Sequence, residues 1–219
     1  MDTNKTHIYF VPGLGASSKI FEFIKLPEAK FECHYLEWLI PLSDEESLEN
    51  YAKRMADLIS EENVVLIGVS FGGIMVQEMS KFISTKKIII ISSIKNTNEF
   101  PKRLKFLQKT KAYTLFPLKL LNNLEEFSAY AFGDFAKKRI ELYKKYLSVR
   151  DTSYLNWALY NVLNWKPNKV SENLIHIHGT EDKIFPIKAI KNCIPVKNGT
   201  HAMIIYKAKT ISKIILENI

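Results

Sequence analysis

The chain has 219 residues, 47% apolar and 25% charged, and a formal net charge of +8 at pH 7. That length suits one domain, or a core with a modest insertion, and buries enough apolar surface to stand without disulfides. The composition excludes disorder as the main state, and no run approaches the roughly 18 uninterrupted apolar residues of a membrane span. The polar stretch from Met1 to His7 lacks the apolar segment of a signal peptide. Cys33 and Cys193 make no disulfide framework and show no metal-ligand spacing, so a reducing, cytoplasmic setting is expected. The excess of positive charge first suggests a nucleic-acid binder.

In chain order, short β-branched runs alternate with longer helical patterns. The expected strands are 7–11, 31–39, 63–69, 86–92, 173–178 and 193–196, the last demoted to an edge by Pro195. Runs apolar throughout fit strands covered on both faces of a parallel sheet. Leu48, Tyr51, Ala52, Met55, Leu58 and Ile59 repeat at helical spacing, and Ser43-x-x-Glu46 ahead of them has the form of a capping box. A helix over 72–84 follows the third strand, and Ile204, Ala208, Ile211 and Ile215 mark one face of the last. The alternation argues for an α/β fold: a mostly parallel, six-stranded, doubly wound sheet. From about Lys95 to Lys166 only helical periodicity remains. The expected organisation is therefore a core of residues 1–94 and 167–219 with an all-helical cap, 95–166, inserted after the fourth strand.

Seven of the eight glycines fall at four places: Gly13 and Gly15; Gly68, Gly72 and Gly73; Gly179; Gly199. The first three places lie at or just after strand ends, where ligands bind in open α/β sheets. Gly68-Val69-Ser70-Phe71-Gly72 has the form G-x-S-x-G between an expected strand and helix. Chance would supply roughly 0.02 such matches in this composition, so the motif is read as a nucleophile elbow. A serine on so tight a turn projects its hydroxyl off the sheet, and the helix behind it offers free N–H groups and a positive dipole end.

On these residues the chain resembles the α/β-hydrolase fold family, as a small capped member lacking the first two strands. His178-Gly179-Thr180-Glu181-Asp182 running on to Pro186 resembles the family's H-G-x-x-D-x-x-x-P segment. Asn198-Gly199-Thr200-His201 resembles its G-x-H loop. The resemblance implies a triad of Ser70, Asp182 and His201 in that chain order. Glu181 is the rival acid, and Asp182 also suits a helix N-cap if 184–191 is helical. The turn Val11-Pro12-Gly13-Leu14-Gly15 stands where the family carries His-Gly, with Pro12 in place of the histidine. It implies an oxyanion hole made by the N–H groups of Leu14 and Phe71, with Gly13, Gly68 and Gly72 as supporting turns. Only 19 positions separate Asp182 from His201, so the helix between them must be truncated. His7, His34 and His176 read as structural, whereas His178 near its strand end is a candidate to line the site.

The resemblance and the motifs together imply a serine hydrolase, carboxylesterase-like, that cleaves a small-molecule carboxylic ester or thioester through an acyl-enzyme, with no cofactor and no metal. Phe106, Tyr113, Phe116, Tyr130, Phe132, Tyr154, Trp157 and Trp165 of the cap are shared between packing and the acyl pocket. The charge also has an address: residues 95–166 hold 14 Lys+Arg against 6 Asp+Glu, and the remainder is neutral. Lys102, Arg103, Lys105, Lys109 and Lys111 form one cluster; Lys137, Lys138, Arg139, Lys144 and Lys145 form another. Without RNA-module motifs or zinc spacing, nucleic acid is not expected. A solvated helical face is the plain interpretation. The alternatives are recruitment of an acidic partner or acyl-carrier-linked ester by the basic cap, and a catalytically silent binding protein on the same fold.

Overall fold

A computed structural model of the chain describes residues 5–111, 145–167 and 171–219. Six strands form one sheet: β1 (Thr6–Val11), β2 (Phe31–Tyr35), β3 (Val64–Val69), β4 (Thr85–Ile91), β5 (Leu174–Gly179) and β6 (Ile194–Val196). Their order is β2-β1-β3-β4-β5-β6, and every pair is parallel. All of β3 and the four isoleucines of β4 are buried, because both sheet faces are covered. On one face, α1 (Leu48–Ala56) and α2 (Phe71–Met79) bury Tyr51, Met55, Ile74 and Met75 against Val64, Leu66, Ile88 and Ile90. On the other, Ile20 and Phe21 join α5 (Met203–Tyr206) and α6 (Ala208–Leu216) over Ile8, Phe10, Ile67 and Ile89. The chain has the α/β-hydrolase fold without its first two strands, with a helical insertion between β4 and β5.

Element ends differ from the sequence expectation for local reasons. β2 stops at Tyr35, after which Leu36 and Trp38 turn into the core. The Ser43/Glu46 capping box does not form. Ser47 caps α1 instead, its side chain accepting from Asn50 N at 3.1 Å. Glu46 is occupied by Arg54 and by Leu42 N, which donates to it at 2.7 Å. The helix after β3 ends at Met79 rather than Ser84, and 184–191 contains only a 3-10 turn at Ile187–Ala189. The last helix is interrupted at Lys207, whose backbone (φ −110°, ψ 17°) leaves the helical region.

Within the insertion, α3 (Lys102–Thr110) and α4 (Thr152–Asn164) are described. Tyr113, Phe116, Tyr130, Phe132, Lys137, Lys138, Arg139 and Lys144 lie outside the described residues. α4 is fastened to the helical layer of the core, at α1 and α2, rather than standing apart from it. Trp157 Nε1 donates to Glu46 O at 2.7 Å, and the Trp157 and Tyr51 ring centres are 4.2 Å apart. Trp165 Nε1 donates to Glu78 Oε1 at 2.8 Å. Tyr154, Trp157 and Trp165 are therefore buried packing residues, whereas Phe106 is exposed. No described helix is long and apolar enough to cross a membrane.

Candidate active site

The chain leaves β1 toward β2 but leaves β3 toward β4, although β1 and β3 are neighbours. Their diverging connections open a crevice at the carboxyl ends of the two strands. Ser70 stands there, between β3 and α2, with φ 53° and ψ −116°. A non-glycine residue held so costs on the order of 1–3 kcal/mol and persists only where its surroundings fix it. They do: Ser70 N donates to Ile91 O at 2.9 Å, and Ser70 O accepts from Gly73 N at 2.9 Å and Ser93 Oγ at 2.7 Å. The motif's glycines are required by contact. A Cβ on Gly68 would fall 2.1 Å from Gly72 O, and one on Gly72 would fall 2.2 Å from Val11 O.

His201, in the turn after β6, points Nε2 at Ser70 Oγ across 2.9 Å. Its Nδ1 lies 2.8 Å from Asp182 Oδ2. The other carboxylate oxygen accepts from Ile184 N at 2.8 Å and Phe185 N at 2.9 Å, which locks the Asp182 side chain. Asp182 thus does what an N-cap aspartate does and also faces His201, while Glu181 is exposed. The short span between acid and histidine is accommodated by direct bonding of their loops. Glu181 N donates to Gly199 O at 2.8 Å, Thr180 N to Val196 O at 3.1 Å, and Asn198 N to Thr180 Oγ1 at 2.8 Å.

Burial raises the Asp182 carboxyl, but His201, His178 and the Phe185 N–H outweigh it and hold the group below the usual carboxylate range. An ionised carboxylate fixes the Nδ1–H tautomer of the facing imidazole, leaving Nε2 free to accept a proton from the serine. His178 does not line the crevice. Its side chain is fully buried behind Asp182, with Nε2 donating to Phe185 O at 2.7 Å and lying 3.5 Å from Asp182 Oδ2. Burial pushes its imidazole down, against the pull of Asp182.

The first turn completes the crevice. Gly13 packs against Ser70, since a Cβ there would sit 3.5 Å from Ser70 Cβ. Among the described residues no group accepts from Leu14 N or Phe71 N. For Phe71 the reason is its place at the start of α2, where helical N–H groups have no partner within the helix.

Sequence reasoning missed Trp38. Its Nε1 donates to Gly13 O at 3.0 Å, and its ring stacks on Phe71 with centres 5.0 Å apart and planes 20° apart. Gly13 C=O and Leu14 N–H belong to one planar peptide unit, so the indole fixes the direction of the Leu14 N–H. The residue lies beyond the end of β2, where no local motif marks it. Arg103, read as part of a solvated cluster, instead donates to the carbonyls of Lys183 and Ile184 in the acid loop.

Several solved structures share this architecture. A hydrolase from Pseudomonas aeruginosa aligns with TM-score 0.76 at 12% identity, covering 97% of this chain and 89% of its own. An esterase from Exiguobacterium antarcticum aligns with TM-score 0.71 at 14% identity, covering 98% and 91%. An epoxide hydrolase from Bacillus megaterium aligns with TM-score 0.65 at 14% identity, covering 97% and 92%. No family model matches the sequence, and no curated protein does. At such identities the likeness establishes the fold, and reactions as different as ester and epoxide opening share it.

Proposed function

We propose that the chain is a serine hydrolase that cleaves a small carboxylic ester or thioester by two-step acyl transfer. The observation that carries this reading is the continuous contact Ser70 Oγ to His201 Nε2 to Asp182 Oδ2, with the serine on a strained elbow at the sheet's switch point. His201 takes the Ser70 proton as Oγ attacks the carbonyl carbon. The Leu14 and Phe71 N–H groups receive the developing oxyanion. Collapse expels the alcohol or thiol, which takes the proton from His201. Water, deprotonated by His201, then attacks the acyl-serine, releasing the acid and restoring Ser70. The insertion after β4, residues 95–166, is assigned the role of a cap that shapes the acyl pocket.

The neighbours named as hydrolase and esterase support the reading as analogy. Hydrolysis of a p-nitrophenyl acetate-to-octanoate series tests it. The wild type should turn over and be labelled by a fluorophosphonate, and Ser70→Ala should lose both. Turnover by Ser70→Ala at the wild-type rate would refute the assignment. Binding of ligand without turnover by the wild type would favour the silent-protein alternative.

A second reading narrows the substrate. Lys102, Lys105 and Lys109 of α3 are exposed, while Arg103 of the same helix reaches the loop that holds Asp182. A positive helix beside the acid loop suits an acyl thioester with an anionic carrier.

A further inference from the structure

The pairing of β1 with β2 sets His7 opposite Glu32 and Tyr9 opposite His34. Side chains alternate between faces along a strand, so these four emerge on one face at the start of the parallel sheet, the end away from Ser70. His7 Nδ1 and His34 Nε2 are 3.0 Å apart, and His34 Nε2 is 3.9 Å from Glu32 Oε1. The three donor atoms all lie within 4.8 Å of one another. The His34 ring is held in place by Tyr9, stacked with centres 4.4 Å apart and planes 11° apart. Tyr9 is itself fixed by donating its hydroxyl to Glu61. Among the described residues neither Glu32 nor Glu61 pairs with a lysine or arginine.

We propose that His7 Nδ1, His34 Nε2 and a Glu32 carboxylate oxygen bind a zinc-class divalent cation, at a site separate from the candidate active site. Two imidazoles and one carboxylate select a borderline transition metal over magnesium or calcium, which prefer all-oxygen sites. A tetrahedral zinc with Zn–N of about 2.0–2.1 Å spaces its donors about 3.4 Å apart, within a few tenths of an ångström of the two nitrogens here. Glu32 is exposed and both histidines are half-buried, so the fourth position faces solvent. Binding would staple the edge strand β2 to β1 and replace the hydrogen bond between the two rings by two metal bonds.

The test uses the full chain, stripped with chelator and titrated with zinc by calorimetry and with cobalt(II) in the visible. One saturable equivalent is expected, with an intense tetrahedral cobalt band. His7→Gln and His34→Gln should each weaken it at least about 10-fold, and His201→Gln should leave it intact. In the wild type, zinc should shift the ring resonances of His7 and His34 in NMR spectra, which needs no variant to fold. No saturable equivalent, or one unchanged in the His7→Gln/His34→Gln double variant, would overturn the proposal.

Discussion

Ser70 concentrates the local physics of the candidate site. Its positive φ is tolerated because three hydrogen bonds hold the turn and two glycines let backbone approach backbone. Asp182 has two duties, and they predict different failures. Asp182→Asn keeps an oxygen for the Ile184 and Phe185 N–H groups but presents the wrong partner to His201 Nδ1. Its kcat should fall by about 10⁴ with the fold intact, measured as ester turnover beside a thermal melt. Trp38→Phe preserves the stack on Phe71 and removes only the bond to Gly13 O. Loosening one oxyanion donor should cost about 10-fold in kcat, less than deleting it, with KM nearly unchanged. A boronic acid that mimics the tetrahedral intermediate should lose affinity in proportion. Unaltered boronate binding would show that Trp38 only packs.

Among the elements, β5 carries a consequence for stability. His176 and His178 are buried on it, with His176 Nε2 and His178 Nδ1 3.0 Å apart. Burial, reinforced by the neighbouring His178 and Lys95 charges, pushes His176 from 6.5 down to about 2. The unfolded chain therefore binds a proton near pH 6.5 that the folded chain refuses. Stability from this histidine is complete above pH 6.5 and declines as pH falls toward 2, by about 1.4 kcal/mol per pH unit. Urea midpoints should drop between pH 7 and pH 5, and His176→Phe should flatten that slope. Ser43 and Ser47 both offer a cap; Ser47 accepts from Asn50 N, while Glu46 is taken by Arg54 of α1 and by Leu42 N.

Over the whole molecule, charge and architecture are separated. The neutral sheet-and-helix core carries the candidate triad, and the insertion carries the excess of +8. If that charge recruits an anionic acyl carrier, charge reversal at Lys102, Lys105 and Lys109 should raise KM for an acyl-coenzyme A thioester. The effect should be steepest at low ionic strength, since exposed charges are screened beyond roughly 10 Å at 0.1 M salt. KM for p-nitrophenyl acetate should stay the same. Equal changes for both substrates would leave the lysines as a solvated face. The fastening of α4 through Trp157 and Trp165 makes this half of the insertion a continuation of the core, so substitutions there should lower the melting temperature before they alter substrate choice.

Local sequence was enough for whatever short-range geometry controls. A buried apolar run is a strand wherever both faces are covered, and G-x-S-x-G after such a run has one steric solution. The order of Ser70, Asp182 and His201 was expected from the resemblance to the α/β-hydrolase family, carried by the segments at Gly68, Gly179 and Gly199. Contacts between segments that meet across the sheet were decided by the folded molecule. Folding aimed the Asp182 carboxylate at His201, drew His178 behind Asp182 instead of into the crevice, and set Trp38 on the Gly13 carbonyl. It also brought His7 and His34, 27 residues apart, within 3.0 Å. Asp182 was marked by its local segment, but the placements of His178, Trp38 and the His7–His34 pair leave no local signal, because a side chain's partner across a parallel sheet is fixed by strand order and register, which long-range packing selects.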